Sequence, residues 1–336
     1  MEISISNEVD QAEWNSALEK SEYGTVYQTT YYADSMRDTM NEQPIFIMAE
    51  DHGRIVGQLL LFKTCRFHGR IYDKPLGSFL IKFLMKIKPL YHWFFGPVTL
   101  RNEEGEEAYN VILETVHKLA KDEEINISSG YPHPLDDKNK YFEAMGFKSK
   151  EAKTFVIDLT KDIEQLWNGL EKHSARKNVE RAIERGVTIE TVEDEDDFIE
   201  YFNVLNETRI RDQVKPYHYA YMYKGWKTLS QKNVMKCFIA KKEDRTLAGL
   251  LISTFNGYLN EWGAGQSSYA IENKLYANDI LKWHIIKWGS EQGYRYYDLT
   301  GVNSAPQTPK EQGIYQFKAK WGGRLVIYNE YYLKAH

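Results

Sequence analysis

The feature that most constrains the fold is a plan of elements that occurs twice along the chain. In each half, helices precede a β-rich hairpin, and a strand, a helix and another strand follow it. The two hairpins span residues 44–62, with a turn at 51–54, and residues 234–255, with a turn at 243–245. Because strands alternate with helices in both halves, the repeated plan predicts an α/β protein with two similar domains.

The length of the chain agrees with two domains. It has 336 residues, of which 42% are hydrophobic, so at roughly 150 residues per domain each half can bury its own core. The plan restarts after a strand at 154–159, which puts the boundary near residue 155. We therefore expect one α/β domain on each side of residue 155.

Charge and cysteine content exclude several classes of protein. Lys and Arg total 43 against 48 Asp and Glu, which gives a net charge of −5. A generally basic nucleic-acid binder is not expected, so DNA is not a predicted partner and any RNA contact must be local. Cys65 and Cys237 are far apart and form no CxxC pair, which excludes a disulfide scaffold and a zinc ribbon.

The sequence predicts a cytoplasmic protein. Residues 1–6 form neither a basic nor an apolar leader. The most apolar stretch, residues 76–98, is interrupted by Lys82, Lys86 and Lys88, and it falls short of the ~18 uncharged apolar residues that a spanning helix needs.

Part of this stretch has two interpretations. On helical spacing within residues 78–95, Lys82 and Lys86 share one side. The opposite side carries large apolar residues, namely Phe79, Leu80, Phe83, Leu84 and Ile87. Such a helix is typical of peripheral membrane contact, which would make the protein membrane-associated, but a short apolar run is also typical of a buried core element.

No signature for a cofactor or a metal occurs in the chain. The phosphate-binding GxxxxGK[ST], the metal-binding HExxH and the nucleophile motif GxSxG are all absent, and the nine histidines lack metal-ligand spacing. We expect no cofactor, so the chemistry must come from positioned polar groups or from the substrate itself.

Three segments of the second half carry candidate chemistry. A basic helix predicted over 163–185 includes Arg176, and it is either a mixed-charge surface helix or a local phosphate site. Asp298 and Gly301 end a predicted strand, where clefts form in α/β sheets. Lys318 follows Phe317 and precedes a pair of glycines.

Together these segments resemble the Fem family of aminoacyltransferases, which build peptidoglycan interpeptide bridges. The matching positions in the second half are Trp167-x-x-Leu170, Arg185-Gly186-Val187, Thr208-x-x-Arg211, Tyr297-Asp298-Leu299-x-Gly301 and Phe317-Lys318-x-x-Trp321-Gly322-Gly323. In the first half they are Tyr27-Gln28 and Phe95-Gly96-Pro97-Val98. The resemblance spans most of the chain, and its C-terminal block is the most specific part.

The resemblance implies two GNAT-like domains, the fold of acyl-CoA N-acyltransferases, each a mixed sheet flanked by helices. They would cover residues 1–155 and 156–324, with the last strand at 325–336 returning to the first domain. It also implies an enzyme that moves an amino acid from aminoacyl-tRNA to an amine of a muropeptide or lipid-linked precursor. Lys318 would bind the ester carbonyl or stabilise the negative charge that develops during attack, and Phe317 would limit the access of water.

The remaining site residues are expected to bind substrate. Arg211 is carried over from the family as a ligand of an acceptor phosphate. We also expect Arg176, Tyr315, Asp298 and Gln28 to contact substrate.

Two other functions remain open. A CoA-dependent N-acyltransferase acting on an amino sugar or another small amine shares the fold, but such enzymes hold pyrophosphate on a glycine-rich turn at a helix start. The corresponding loop here, residues 267–275, has no glycine. The third alternative is a binding module that has kept the fold without catalysis.

Overall fold

The computed structural model describes residues 1–66, 71, 74–303 and 305–335. It divides into unit 1, Met1–Ala152 with Ile327–His336, and unit 2, Lys153–Val326. The strands are β1 (Glu2–Ser6), β2 (Gln43–Asp51), β3 (Arg54–Cys65), β4 (Pro89–Trp93), β5 (Val98–Thr99), β6 (Asn126–Gly130), β7 (Lys148–Asp158), β8 (Thr188–Thr191), β9 (Met235–Lys242), β10 (Arg245–Phe255), β11 (Tyr258–Gln266), β12 (Tyr296–Val302) and β13 (Arg324–Leu333). The helices are α1 (Gln11–Lys20), α2 (Thr30–Met40), α3 (Gly77–Ile87), α4 (Glu103–Asp122), α5 (Asn139–Ala144), α6 (Ile163–Gly169), α7 (Lys177–Glu184), α8 (Glu195–Arg211), α9 (Tyr219–Ser230), α10 (Ser268–Glu272), α11 (Ala277–Glu291) and α12 (Pro309–Ala319).

Unit 1 contains a mixed sheet in the order β1-β2-β3-β4-β6-β13, with β5 paired to β3. All of these pairs are antiparallel except β4 with β6. Parallel neighbours need a crossover connection, and helix α4 supplies it here. Asn102 caps this helix by accepting a hydrogen bond from the Gly105 amide at 2.9 Å.

Helix α4 packs its apolar face against the sheet of unit 1. Ala108, Ile112 and Val116, spaced four residues apart on one face, are all fully buried. The helix approaches β3 so closely that a Cβ atom at Gly57 would lie 2.9 Å from the Ala108 Cβ. Glycine at this position therefore allows the close packing of helix and strand.

Unit 2 repeats this arrangement in the order β7-β12-β11-β10-β9-β8. Strands β9 and β10 form the hairpin, β10 pairs antiparallel with β11, and β11 pairs parallel with β12. Helix α11 is the crossover between the two parallel strands. The expected α/β fold, a mixed sheet flanked by helices in each half, is confirmed.

The prediction of a single helix over 163–185 is wrong. Helix α6 stops at Gly169, and Leu170 is extended with a ψ of 147°. The Glu171 carboxylate then accepts hydrogen bonds from the backbone amides of His173 and Ser174, which starts a π-helical turn over Lys172–Arg176 before α7. A capping side chain inside the apolar pattern thus divides the helix.

Helix α3 exposes most of its large apolar residues. Ile81 is fully buried, but Phe79 is 67% exposed, Phe83 is 52% exposed and Ile87 is 56% exposed. The interpretation of this segment as a buried core element is therefore wrong for the helix. It is correct for β4, which follows the helix and buries Tyr91 and Trp93.

Candidate active site

The candidate site forms where two parallel strands of unit 2 separate. The pairing of β11 with β12 runs from Tyr258 with Tyr296 only as far as Asn260 with Asp298. Beyond Asp298 the register of β12 against β7 shifts, and Thr300 has a φ of 62°, which is a strained conformation for a β-branched residue. The irregular backbone opens a gap at the carboxyl ends of the strands, where α/β proteins place their ligands.

A cavity of about 470 Å³ occupies this region of unit 2. Its walls come from β10, β11, α11 and α12. The lining residues include Glu261, Lys282, Asn278, Phe317, Lys318 and Lys310. Apolar walls with a few polar groups are typical of a small-molecule site.

Lys318 reaches the cavity from the last turn of α12. This helix begins with a capping box between Thr308 and Glu311, which fixes its start. The Lys318 ammonium donates to the carbonyl oxygens of Gly301 at 3.0 Å and Thr300 at 3.3 Å. Burial lowers the pKa of Lys318 to about 8, and the Asp298 carboxylate opposes part of this shift.

Asp298 holds the irregular part of β12 in place. It is only 1% exposed, and its Oδ1 accepts from the Thr300 amide at 2.7 Å and from the Thr154 hydroxyl. Its Oδ2 accepts from the Tyr258 hydroxyl at 2.6 Å. Burial raises the pKa of Asp298, and the hydrogen bonds from Thr154 and Tyr258 oppose this rise. Its contacts fix the loop and support Lys318.

A second charged cluster, which the sequence interpretation missed, forms another wall. Lys282 on α11 is 4% exposed and forms an ion pair with Glu261 on β11. The Lys282 ammonium also donates to the Tyr297 hydroxyl at 3.1 Å, and that hydroxyl donates to Glu261 Oε1 at 2.6 Å. Burial and the charges of Lys318 and Lys320 lower the pKa of Lys282. A lysine within the apolar face of helix 278–292 was the available signal.

Most of the ammonium groups around the cavity form ion pairs with carboxylates. Lys320 pairs with the buried Asp279 in the first turn of α11, and Lys310 pairs with Asp212 at 3.1 Å. The Glu261–Lys282 pair described above is the third such pair, whereas Lys318 bonds to the backbone carbonyls of Thr300 and Gly301 instead. Such a site suits a ligand that carries both a developing negative charge and a positive one.

The other expected site residues lie outside this cavity. Arg211 ends α8 and donates to the Gln266 carbonyl at 2.9 Å, next to the cavity residue Asp212. Arg176 lies in the π-helical turn and donates to Asn168 at 3.3 Å. Tyr315 packs edge-on against Phe155, with ring centroids 5.3 Å apart.

Gln28 belongs to unit 1 and is fully buried. Its amide nitrogen donates to the Phe94 carbonyl at 2.6 Å, and its Oε1 accepts from the Leu60 amide at 2.6 Å. These bonds connect three backbone segments of unit 1, so Gln28 has a structural role in this unit.

Neither a metal-binding cluster nor a membrane-spanning helix was found in the described part of the chain. Its His, Cys, Asp and Glu side chains form no group of three that could hold a metal ion. None of its helices combines the length and the apolar character required to cross a membrane.

The fold and one domain have known relatives. Residues 172–319 match the acetyltransferase (GNAT) domain family. The structure is similar to the crystal structure of FemX, with a TM-score of 0.77 and 17% identity over 98% of this chain and 97% of that chain. No sequence among curated proteins matches the chain.

Two further structures share the fold. One is the C-terminal domain of a putative lysylphosphatidylglycerol synthetase from Agrobacterium fabrum, with a TM-score of 0.59 and 14% identity over 95% of this chain and 92% of that chain. The other is a tandem GNAT protein from the clavulanic acid biosynthesis pathway, with a TM-score of 0.53 and 13% identity over 100% of this chain and 99% of that chain. The GNAT match supports an acyltransferase. The chain thus has a Fem-like fold of GNAT type, which confirms its resemblance to the Fem family at the level of the fold.

Proposed function

We propose that the protein is a cytoplasmic aminoacyltransferase that moves an amino acid from aminoacyl-tRNA to an amine of a muropeptide-like cell-wall precursor. The observation that carries the proposal is the Lys318 ammonium, which lines a partly apolar cavity beside Phe317. A tRNA ester is already an activated acyl donor. The protein therefore needs to align the reactants and to stabilise the charge of the transition state.

The reaction follows from this geometry. The neutral acceptor amine attacks the ester carbonyl carbon, a C–N bond forms, and the carbonyl electron pair moves to oxygen. The Lys318 ammonium stabilises that oxyanion. The C–O bond to the tRNA ribose then breaks, and the proton lost by the amine nitrogen neutralises the ribose oxygen. The ring of Phe317 shields the ester from water.

The start of helix α11 disfavours coenzyme A as the donor. Asp279 places a carboxylate in the first turn of this helix, where it is buried and paired with Lys320. A negative charge there already satisfies the helix dipole, and it would repel a pyrophosphate. The preceding loop adopts positive φ at Lys274 and Tyr276 and contains no glycine, unlike the glycine-rich turn that holds a pyrophosphate at a helix start.

A CoA-dependent N-acyltransferase acting on an amino sugar or another small amine remains the second candidate, because residues 172–319 match the GNAT acetyltransferase family. The two candidates can be separated with labelled donors. We expect the protein to transfer label from a pool of aminoacyl-tRNAs to a muropeptide precursor, with no saturable binding of acetyl-CoA in calorimetry. Saturable acetyl-CoA binding at micromolar concentration, without tRNA-dependent transfer, would contradict the proposal.

We also propose that α3 contacts an anionic membrane surface, where a lipid-linked acceptor would be found. Its exposed apolar residues include Phe79 and Phe83, and its charged residues, Lys82 and Lys86, are both basic. An apolar face flanked by lysines complements the acyl chains and anionic headgroups of a bilayer. The structural similarity to a putative lysylphosphatidylglycerol synthetase makes phosphatidylglycerol a second acceptor for the transfer assay.

Liposome flotation tests the membrane contact. The protein should float with vesicles that contain anionic lipid, and Lys82→Glu with Lys86→Glu should abolish flotation. The matched control is Lys148→Glu with Lys150→Glu, which makes the same charge change at exposed positions of β7 and should float normally. Equal flotation of both double variants would rule out α3 as the contact.

A further inference from the structure

Glu261 presents an incompletely bonded carboxylate to the cavity. It is the first residue of β11 after the pairing with β12 ends at Asn260, and its side chain is 9% exposed. Its Oε1 accepts the Tyr297 hydroxyl and pairs with Lys282. Its Oε2 has no protein donor within the described ranges of the chain. Because an ionised carboxylate binds a cationic donor more strongly than a neutral one, an ammonium from the ligand would complete the hydrogen bonding of this oxygen.

The fold itself does not require this buried ion pair. Replacing such a pair by apolar residues of similar volume is often neutral or stabilising. Helix α4, which makes the equivalent crossover in unit 1, buries no charged residue. The Glu261–Lys282 pair on the cavity wall therefore points to a role in binding.

The ligand implied by the proposed function carries the matching group. In an aminoacyl ester, the α-ammonium and the ester carbonyl are attached to the same carbon atom. A donor whose carbonyl oxygen lies at Lys318 thus places its ammonium inside the same cavity of about 470 Å³. Asp212 is the other carboxylate of the lining, but its side chain is 37% exposed and is paired with Lys310. Glu261 is the buried alternative.

We propose that Glu261 binds the α-ammonium of the amino acid being transferred, and that this contact selects aminoacyl donors over acyl donors without the ammonium. The inference rests on the proposed function and specifies its donor. Lys282 and Tyr297 are positioning residues, since they orient the carboxylate and keep it ionised when the cavity is empty. A simple acyl group would leave the Glu261 carboxylate without its additional donor.

The test compares two donors on the same tRNA: the aminoacyl ester and the α-hydroxyacyl ester with the same side chain. The wild type should prefer the aminoacyl ester by about tenfold, because the α-hydroxyl of the other ester keeps a hydrogen-bond donor but lacks the positive charge that pairs with the Glu261 carboxylate. Glu261→Gln should bring the ratio of the two rates close to one. The matched control is Glu291→Gln, which breaks an exposed Glu–Lys pair on α11 and should keep the wild-type ratio.

A second variant controls for destabilisation, because Glu261→Gln leaves the buried Lys282 ammonium without a counter-charge and can impair folding. Glu261→Gln combined with Lys282→Met removes both charges, and it should lose the preference in the same way. Lys282→Met alone should weaken the preference less than Glu261→Gln does, because it removes a residue that orients the carboxylate but leaves the carboxylate itself.

The outcomes separate the two proposals. Equal loss of both donor activities in Glu261→Gln, with an unchanged ratio, would overturn the role of Glu261 while leaving the aminoacyltransferase intact. A wild-type protein that transfers from neither ester would overturn the proposed function itself, and the assignment of Glu261 with it.

Discussion

The two units share a strand order but differ at their parallel strand pair. In unit 1, the parallel pairing of β4 with β6 continues to Trp93 and Gly130, the last residues of the two strands. Two more backbone hydrogen bonds continue the connection, from the Tyr131 amide to the Trp93 carbonyl at 3.2 Å and from the Gly96 amide to the Tyr131 carbonyl at 3.0 Å. The equivalent pair in unit 2 separates after Asn260, and the freed carbonyls of β12 accept from Lys318 instead.

The crossover helices of the two units also differ, in the charge of the residues that they bury. Helix α4 of unit 1 buries an uncharged face that contains Ile112, whereas α11 of unit 2 buries Asp279 and Lys282 among apolar residues. Buried charges are costly unless they are paired, and perturbed ionisable groups collect at functional sites. The crossover helix of the same topology thus contributes an apolar core face in unit 1 and a charged cavity wall in unit 2.

The largest expected effect concerns the cation of the unit 2 cavity. Lys318→Met should reduce the rate of transfer by on the order of 10²–10³, since removing one oxyanion stabiliser costs about 3–4 kcal/mol of barrier. Single-turnover transfer from charged tRNA measures this loss, and circular dichroism checks the fold.

Lys241→Met provides the matched control for this lysine. Lys241 is also largely buried in unit 2, but it lies on β9 and is paired with Glu200 at 3.0 Å. It should keep nearly the full transfer rate. If Lys318→Met retained more than about a third of the wild-type rate, Lys318 would be a structural lysine.

The next prediction compares how much the buried residues of the two crossover helices contribute to the free energy of unfolding. Ile112→Ala should lower the free energy of unfolding of unit 1 by about 3 kcal/mol, because it leaves a cavity in a fully buried apolar core. Glu261→Gln with Lys282→Met should change the stability of unit 2 much less, since both members of a buried ion pair are removed together. Hydrogen exchange resolved by segment measures both. A double variant as destabilising as Ile112→Ala would show that the charged cluster supports the fold.

The smallest effect is a shift in pH dependence. Burial lowers the pKa of Lys318 to about 8, so transfer should fall as the pH rises through about 8 and the ammonium is lost. The Asp298 carboxylate favours the charged lysine. Asp298→Asn should therefore lower the pKa of Lys318 and move this alkaline limb to lower pH, with a smaller loss at the optimum than Lys318→Met. The measurement is the initial rate of transfer as a function of pH for the wild type and the variant. If the alkaline limb stayed at the same pH in Asp298→Asn, the ionisation of Lys318 would not be its cause.

Local patterns in the sequence predicted the fold class and many of the elements. The hairpins at 44–62 and 234–255 and the two crossover helices follow from hydrophobic periodicity and turn residues, which act over a few neighbouring positions. Strand β1 and helix α9 were not predicted from these patterns. The pairing of Phe317 with Lys318 was visible because both side chains belong to one short motif, and both line the cavity.

Tertiary structure alone decided which polar residues meet. Glu261 and Lys282 lie on different elements, β11 and α11, and only folding brings their charges together at the cavity. The burial of individual side chains could not be predicted from the sequence either. Gln28 is polar, yet the fold buries it completely. Phe83 is apolar, yet the fold leaves it exposed. Periodicity reports the face on which a side chain lies, whereas the neighbours that cover this face come from elsewhere in the chain, so the composition of the site depends on through-space contacts.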